Sequence, residues 1–399
     1  MEIPAGYQIM TNCRNHVHAL AVGGCIAMLM ACCLRTSLAQ TQPQADTRKP
    51  LVPGEQAPPA DPGQRNFGGM RPAAGAGGQR RPQMPPRPAL PIQTTSLDGI
   101  SMSDPYVYPD EKGHVYYLTG TGGSQYRSND LKTWTGPYPI IELSGTWMEG
   151  LFVAAAEIHH IGNKYYYAGT WSDHSTLIQV VPRRYNVPRN QTQLLVADSP
   201  EGPFKPLVAD REFCLGPEDW DIIDGTLYVE NDTTYLVFVH EWTQLIDGTM
   251  DYMPLSKDLT HRTAGPTTIF RASEAAWSKE MNGIGEATFG LKMPGWVTDG
   301  PELFRTRTGK LGMLWSSWGE HRYAQGIAYS SSGSIKGPWV QENEAFKGDN
   351  SGHGMLFTTF EGKRLFIVHH AEGNGRRKPQ LWEVDDSGDK LVLGNRYNP

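Results

Sequence analysis

Four carboxylates and one histidine recur at similar places along the chain after residue 95, and they are the best candidates for chemistry. Each precedes a strand-like run rich in aromatic or β-branched residues: Asp104, Glu157, Asp224, Asp299 and His353. A single Asp before Gly or Pro is more often a turn residue. Five polar residues beside segments that should be buried favour a functional cluster, because a buried carboxylate is costly unless it is paired or hydrogen-bonded.

Carboxylates grouped around a channel suit the hydrolysis of a glycosidic bond. In an inverting glycosidase one ionised carboxylate deprotonates water, and a second, protonated carboxyl group protonates the leaving oxygen. A third carboxylate can raise the pKa of that acid by repulsion between like charges. Aromatic rings would stack on the sugar, although each aromatic alone is more typical of a core. For contact with substrate we select Trp147, Trp171, Trp318, His240 and Arg377.

The elements that must position these residues are short strands. Aromatic and β-branched runs alternate with Gly, Asp, Asn and Pro, and the pattern of an amphipathic helix is weak throughout. A unit made of a strand, a hairpin and further strands repeats five times, and a Gly-Pro turn closes several of the units. Repeats of this kind are typical of propeller blades. We predict an all-β fold, a five-bladed β-propeller over residues 96–399, whose innermost strands bring the five polar side chains together on the axis.

Five ordered motifs carry a resemblance to a known family. They are Ser-Asp-Pro-Tyr at 103–106, Ala-Ala-Glu-Ile-His at 155–159, Ile-Ile-Asp-Gly-Thr at 222–226, Thr-Asp-Gly-Pro-Glu at 298–302 and Gly-His-Gly-Met at 352–355. Together they resemble the blade signatures of glycoside hydrolase family 43. The resemblance implies inverting hydrolysis of arabinofuranosyl, xylosyl or galactosyl linkages in plant-type polysaccharides. It also implies roles for Asp104 as general base, Asp224 as the aspartate that tunes the acid's pKa, Asp299 as general acid, and His353 as a central histidine that holds a water or a calcium ion.

The fourth motif departs from the family pattern, because most members have Glu where this chain has Asp299. The shorter side chain retracts the acid, and proton transfer needs atoms within hydrogen-bonding reach. Three outcomes stay open: Asp299 works in a reshaped site, Glu302 replaces it, or activity is weak. Alternation along a strand would turn Glu302 to the opposite face, so we favour Asp299 and keep Glu302 in reserve. Glu157 is assigned to substrate hydroxyls or to the polar network on the axis.

The first 95 residues differ from the rest of the chain. An apolar run over residues 19–34, followed by Ser37-Leu38-Ala39, predicts a secretory signal peptide over residues 1–39. Residues 40–95 are rich in Pro, Gly and Gln and predict a disordered linker. We therefore expect a secreted or periplasmic protein, and we favour simple export over a lipid anchor at Cys32. After removal of the leader only Cys214 remains, which excludes an intramolecular disulfide.

Composition narrows the partners. The formal net charge of −6 gives no reason to expect nucleic acid. We predict a carbohydrate substrate, no stable membrane insertion after removal of the signal peptide, a monomer, and no required cofactor, with a structural calcium ion allowed. Two alternatives remain: a carbohydrate-binding propeller without hydrolysis, which the departure at Asp299 would suit, and a propeller that serves as a scaffold for protein contacts.

Overall fold

A computed structural model describes residues 90–180, 185–209, 215–281, 295–320, 322–372 and 376–399. The predicted signal peptide, residues 40–89 of the predicted linker and Cys214 lie outside the described residues. In the described part of the chain, three short helical turns accompany the strands, at Leu97–Gly99, Trp242–Leu245 (α1) and Ala272–Glu274. The all-β prediction is therefore confirmed. Within the described ranges, no helix has the length and apolar character needed to cross a membrane.

The strands of the described residues form four sheets, and the largest sheet contains two four-stranded groups joined by one parallel pairing of Ile222 with Gln191. We therefore divide the strands into five groups of four antiparallel strands in chain order, which we call blades. Blade 1 contains β2 (Tyr106–Asp110), β3 (Val115–Thr119), β4 (Ser124–Ser128) and β5 (Thr133–Pro139), with β1 (Gln93–Ser96) added beyond β5. Blade 2 contains β6 (Val153–Ile161), β7 (Lys164–Val180), β8 (Tyr185–Ala197) and β9 (Lys205–Pro206). Blade 3 contains β10 (Ile222–Glu230), β11 (Thr233–His240), β12 (Thr249–Pro254) and β13 (Thr267–Arg271). Blade 4 contains β14 (Asp299–Arg305), β15 (Leu311–Trp318), β16 (Tyr323–Ser330) and β17 (Trp339–Gln341). Blade 5 contains β18 (Ser351–Thr358), β19 (Arg364–Ala371), β20 (Arg377–Asp385) and β21 (Val392–Tyr397).

The first strands of the blades surround a common axis. Each contacts the first strand of the next blade, from β2 through β6, β10, β14 and β18, and β18 returns to β2. Apolar residues fill the spaces between neighbouring blades, in five clusters that each draw on two adjacent blades. For example, Phe270 of blade 3 packs on Trp315 of blade 4 with ring centroids 5.0 Å apart. Burial between blades, rather than inside one blade, therefore holds the ring together.

The folded region begins earlier than predicted. Strand β1 starts at Gln93, inside the segment predicted as linker, and pairs with β5 through Gly136 to Thr133. A main-chain hydrogen bond of 2.9 Å from Met102 N to Arg377 O then joins the first blade to the last. Strand β1 could not be predicted, because a short polar strand at a sheet edge gains its stability from its neighbour and not from its own apolar pattern.

A local irregularity recurs near the start of the inner strands. The register of β6, β10, β14 and β18 shifts by a bulge, and one residue at each shift has a positive φ angle. With the residue just before β2, these positions are Asp104 (φ 56°), Ala155 (47°), Asp224 (53°), Gly300 (50°) and His353 (47°). Positive φ is unfavourable for residues other than Gly, and strain of this kind is concentrated at functional sites. Bulges of this type redirect side chains, here toward the axis.

Candidate active site

His353 lies at the centre of a group of three carboxylates from three other blades. Its Nδ1 atom is 2.9 Å from Asp299 Oδ1, 3.3 Å from Asp104 Oδ1 and 3.9 Å from Asp224 Oδ2. All four side chains are largely shielded from solvent, and the Asp104 side chain is the most exposed of them at 15%. The fold thus brings together four of the residues that the sequence predicted as site residues, although up to 249 positions separate them in the chain.

The carboxylates determine the charge of the histidine. Burial alone would lower the pKa of His353, but the charges of Asp104 and Asp224 and the hydrogen bond to Asp299 raise it to about 10. At neutral pH the ring is therefore an imidazolium, and both of its nitrogens are donors. A positive charge at the centre allows several carboxylates to lie close together in a buried site.

Asp104 is held in its ionised form. Burial would raise its pKa, but the charge of His353 brings the pKa well below its ordinary value. Thr121 Oγ1 also donates a short hydrogen bond to Asp104 Oδ2. Each of these contacts favours a carboxylate over a carboxyl group.

Asp224 has the opposite pKa shift. Burial and the nearby charge of Asp299 raise its pKa well above the ordinary value, and the charge of His353 only partly offsets this. The site therefore stabilises the ionised form of one acid, Asp104, and the protonated form of another, Asp224. Two acidic groups with pKa values pushed apart are the arrangement that acid–base catalysis needs.

Side chains on the second strands fix the irregular residues of the inner strands. In four of the five junctions between blades, a polar side chain on or just after the second strand of one blade accepts the backbone N–H of the positive-φ residue in the next. The pairs are Thr121 with Ala155 (2.9 Å), Thr170 with Asp224 (2.9 Å), Ser316 with His353 (2.8 Å) and His369 with Asp104 (3.1 Å). At the junction of blades 3 and 4, Asp224 Oδ2 itself accepts the N–H of Gly300 at 3.3 Å. These acceptors satisfy donors that the bulges remove from the strand ladder.

The hydroxyl and imidazole acceptors were missed as site residues in the sequence. A signal was present, since Thr121, Thr170, Ser316 and His369 each end or follow the aromatic strand of a blade. Tyr323, at the start of β16, was also missed, and its hydroxyl donates a 2.5 Å hydrogen bond to Asp299 Oδ2. Tyr323 does not share the sequence position of the four acceptors, because it lies on the third strand of its blade and not on the second.

The bulge in β14 changes the relation between Asp299 and Glu302. Between these two residues the register shifts, so alternation along the strand does not turn Glu302 away from the axis. Glu302 lines a cavity of about 10 Å³ together with Asp104, Glu157 and His353, which is space for roughly one water molecule. The expectation that Glu302 faces the opposite side was therefore wrong.

The bulges also show that the predicted set of equivalent residues was wrong in two blades. The counterparts of Asp104, Asp224 and His353 are Ala155 in blade 2 and Gly300 in blade 4, as their positive φ angles show. Glu157 and Glu302 each lie two residues further along their strands. Burial and the charge of Glu157 raise the pKa of Glu302 well above its ordinary value. Glu157 is 7% exposed, and its Oε2 is 2.8 Å from His159 Nε2.

Two residues predicted to contact substrate are enclosed. Trp171 is 0% exposed and packs beside Tyr167 in the core of blade 2, so it cannot offer a ring face to a sugar. His240 is 5% exposed, lies stacked on Trp220 with ring centroids 3.9 Å apart, and has its Nε2 within 2.6 Å of Gln244 Oε1. Neighbouring side chains cover both rings, and both predictions are corrected accordingly.

The other three predicted contact residues are accessible. Trp147 is half-buried in the loop before β6, and Trp318 is half-buried at the end of β15, with its ring 6.3 Å from that of Tyr323. Arg377 is half-buried at the start of β20, near enough for its charge to contribute to the lowered pKa of His369. These positions are compatible with contact to substrate, which stays a prediction.

A metal ion is a separate question. Asp224, Asp299 and His353 each offer a ligand atom, and these atoms lie within 4.8 Å of one another. Nδ1 of His353, however, carries a proton directed at Asp299, and a metal ligand must be deprotonated. Calcium also takes six to eight oxygen ligands, more than these side chains provide. The geometry around Nδ1 does not fit a calcium ion bound to that atom.

Comparisons with known proteins agree on one class. The sequence profile of the glycosyl hydrolases family 43 matches residues 99–385. An endo-arabinase from Bacteroides thetaiotaomicron is 31% identical, with a TM-score of 0.62, and the match covers 76% of this chain and 97% of that protein. An endo-1,4-β-xylanase from the same organism is 21% identical, with a TM-score of 0.55 and coverage of 77% and 100%. An α-L-arabinanase from Cellvibrio cellulosa, solved with arabinohexaose, is 15% identical, with a TM-score of 0.51 and coverage of 74% and 95%. The last two show the fold alone, and a comparison with curated sequences found no match.

Proposed function

Because the chain belongs to glycosyl hydrolase family 43 and is a glycoside hydrolase, we propose that it cleaves arabinofuranosyl linkages with inversion of configuration. The 31% identical endo-arabinase supports arabinan as the substrate. Xylosyl and galactosyl linkages are the alternatives, and the products of hydrolysis separate the three.

One observation carries this proposal: His353 Nδ1 lies within 3.9 Å of three carboxylates from three blades. Their surroundings shift the pKa of Asp104 downward and the pKa of Asp224 upward. A binding protein has no need of two buried acids in different states, whereas hydrolysis with inversion needs both a base and an acid.

In the proposed reaction Asp104 acts as the general base. A water molecule beside its carboxylate attacks the anomeric carbon on the face opposite the leaving group and transfers a proton to Asp104. The hydrogen bonds from Thr121 to the side chain and from the Asp104 N–H to His369 hold the carboxylate in place. General base catalysis of this kind contributes about 10²–10⁴-fold to the rate.

The acid comes from the pair Asp224 and Asp299. The charge of each member raises the cost of ionising the other, so the pair holds one proton at neutral pH. That proton passes to the glycosidic oxygen as its bond to the sugar breaks, which makes the leaving group a neutral alcohol. His353 stays positively charged throughout and stabilises both ionised carboxylates.

Sugar contacts are proposed for residues at the end of the channel where the inner strands begin. Phe152, one residue before β6, is 68% exposed, which is unusual for a large aromatic ring. Trp147 lies shortly before Phe152 in the chain, Trp318 ends β15, and both are half-buried. Aromatic rings of this kind bury the apolar face of a sugar while its hydroxyls reach polar groups such as Arg377.

Export and the metal requirement are further parts of the proposal. The signal-like leader supports secretion with an N-terminus at Gln40, which N-terminal sequencing of the exported protein tests. We also propose that the exported protein is a monomer. We propose that catalysis needs no metal ion, so that activity survives treatment with EDTA. A loss of activity that calcium restores would contradict this part.

Incubation of the purified protein with arabinan, xylan and galactan tests the proposed function. The expected result is release of arabinose or arabino-oligosaccharides from arabinan, with the length of the products showing whether cleavage is internal or terminal. Asp104→Asn is the matched control and should release nothing. Sugar binding without release from any polysaccharide would contradict hydrolysis and favour a binding role.

A further inference from the structure

The fourth-blade aspartate is fixed on both of its carboxylate oxygens. The hydroxyl of Tyr323 donates to Asp299 Oδ2 at 2.5 Å, and Nδ1 of His353 donates to Asp299 Oδ1 at 2.9 Å. The first distance is in the range of a hydrogen bond from a hydroxyl to an ionised oxygen. The side chain of Asp299 is only 3% exposed. Asp299 therefore faces two donors and has little access to the channel.

Two donors stabilise the ionised form of a carboxylate. A carboxyl group that carried its proton on either oxygen would place that hydrogen against one of the two donors. Hydrogen bonding to the charged form of an acid lowers its proton affinity. A general acid needs a proton and a path to the leaving oxygen. The surroundings of Asp299 oppose the first requirement, and its burial opposes the second.

Asp224 faces a weaker donor, the N–H of Gly300 at 3.3 Å from its Oδ2, and its side chain is slightly more exposed. It is at the bulge of β10, with φ of 53°, and its side chain is 9% exposed. Among the described residues the charged groups that act on it are Asp299 of β14, His353 of β18 and Asp104 before β2. Asp299 and Asp104 both favour retention of a proton by Asp224, and burial adds to the effect.

We propose that Tyr323 is a positioning residue that keeps Asp299 ionised, so that Asp224 carries and donates the proton that the leaving oxygen receives. This inference rests on the proposed glycosidase function. It reverses the roles that the family resemblance implies for the two aspartates. It also explains how Asp is used at position 299, because the shorter side chain leaves space for the tyrosine hydroxyl between the carboxylate and the third strand of the blade.

The ring of Tyr323 is itself held from two sides. It lies nearly parallel to the ring of His369, with an interplanar angle of 9° and centroids 5.6 Å apart. Gly352 lies against its edge, where an added Cβ would come within 2.3 Å of the ring. His369 in turn accepts the N–H of Asp104. The phenol therefore has a fixed direction, and a Phe at this position would keep the ring contacts while removing only the hydroxyl.

Every proton and bond in the proposed hydrolysis is accounted for. The O–H bond of Asp224 breaks as the glycosidic oxygen takes the proton, and the bond between that oxygen and the anomeric carbon breaks with its electron pair remaining on oxygen. Water forms the new bond to carbon and gives one proton to Asp104. The product leaves with Asp104 protonated and Asp224 ionised, and exchange of one proton with solvent restores the starting state.

Dependence on the leaving group identifies the acid. Hydrolysis is measured with 2,4-dinitrophenyl arabinofuranoside, whose leaving group needs no protonation, and with an arabinobiose, whose leaving alcohol does. We expect Asp224→Asn to lose about 10²–10⁴-fold on arabinobiose and at most about tenfold on the dinitrophenyl substrate. Asp299→Asn should reduce both rates by a similar factor, because it does not remove the proton donor. Selective loss on arabinobiose in Asp299→Asn, but not in Asp224→Asn, would overturn the inference.

Tyr323→Phe tests the tyrosine itself. With its donor gone, Asp299 competes for the proton, so kcat on arabinobiose should fall about tenfold with KM unchanged, since one lost hydrogen bond is worth roughly 0.5–1.5 kcal/mol. The alkaline limb of the pH profile should move to higher pH, because the pair then holds its proton more tightly. Tyr329→Phe removes a buried hydroxyl from the same strand, one that accepts the N–H of Leu391, and should leave that limb in place. An unmoved limb in Tyr323→Phe would overturn the positioning role.

The two proposals fail in different ways. If the unmodified protein hydrolyses neither arabinofuranoside, the proposed function is wrong. If it hydrolyses both and the leaving-group selectivity belongs to Asp299, the function stands and only the inference about Tyr323 and Asp224 is wrong. Thermal unfolding of each variant shows that the compared proteins are folded.

Discussion

The backbone N–H of Asp104 donates a hydrogen bond to Nδ1 of His369 at 3.1 Å, although 265 residues separate the two in the sequence. Asp104 precedes the first strand of blade 1 and His369 is on the second strand of blade 5. The position of the proposed base therefore depends on the junction at which the ring of blades closes. Burial lowers the pKa of His369, so the ring is neutral at physiological pH and its Nδ1 can accept the hydrogen bond.

Replacement of His369 should affect the base more than substrate binding. His369→Leu leaves the buried N–H of Asp104 without an acceptor, and we expect kcat to fall about tenfold or more, in line with roughly 1–3 kcal/mol for an unsatisfied buried donor. His369→Asn offers an oxygen at a similar distance and should retain more activity than the Leu variant. Equal activities in the two variants would show that the hydrogen bond has no role.

Asp221 should make stability depend on pH. It is 0% exposed, its Oδ1 accepts the N–H of Asn190 at 2.8 Å, and its Oδ2 has no hydrogen-bond partner among the described residues. Burial raises its pKa to about 7. The folded state therefore binds the proton more tightly than the unfolded state, whose pKa is near 4, and stability falls as pH rises between these values.

Asp221→Asn removes that dependence. At pH 8 the variant should gain roughly 1–3 kcal/mol of unfolding free energy relative to the original protein, the cost of a buried group without a partner. Near pH 4 the gain should disappear. Denaturant unfolding at both pH values measures the difference, with the exposed Asp198→Asn as a control. A gain of the same size at both pH values would argue against an ionised Asp221 as the cause.

His353 should also make stability fall as pH rises, but over a higher pH range than Asp221. Its pKa is raised to about 10 in the folded protein, compared with about 6.5 in an unfolded chain. The contribution is fully present below pH 6.5 and is lost as pH rises from there toward 10. His353→Gln should therefore show a smaller decrease in melting temperature between pH 7 and pH 9.5 than the original protein. A parallel decrease in both proteins would contradict the imidazolium assignment.

Phe152 should contribute to binding and not to the chemical step. Its ring is 68% exposed at the start of the inner strand of blade 2. Phe152→Ala should raise KM for arabino-oligosaccharides roughly 2- to 10-fold with kcat unchanged, as expected for the loss of 0.5–1.5 kcal/mol from one aromatic contact. Val340→Ala removes another exposed apolar side chain, which is 58% exposed on the outer strand of blade 4, and serves as the control. An unchanged KM in Phe152→Ala would remove this residue from the substrate site.

The sequence was sufficient for the fold class and for the residues that meet on the axis. Asp104, Asp224 and His353 could be predicted because each follows the same local pattern, a polar residue before an aromatic strand. The exact counterparts in blades 2 and 4 could not be predicted. Each bulge adds a residue to its strand and interrupts the alternation of side chains between the two faces. The chosen residues Glu157 and Asp299 therefore differ from the true counterparts, Ala155 and Gly300, by two positions and one position.

Contacts across the junctions were beyond what the sequence could show. The partners of Asp299 are Tyr323 and His353, and their pairing depends on how β16 and β18 meet. Trp171 was misassigned for a related reason. A tryptophan on a second strand can face the channel or the core, and only the packing of the folded blades decides between these directions.

The anomeric configuration of the first product tests the central claim most directly. Hydrolysis of an α-L-arabinofuranoside is followed by proton NMR in the first minutes, before the released sugar equilibrates, with the original protein and with Asp104→Asn. The account predicts that β-L-arabinofuranose appears first with the original protein, and that Asp104→Asn reduces the rate by about 10²–10⁴-fold while its fold is intact. Initial release of the α-anomer, or unchanged turnover in Asp104→Asn, would contradict a base-catalysed inversion at Asp104.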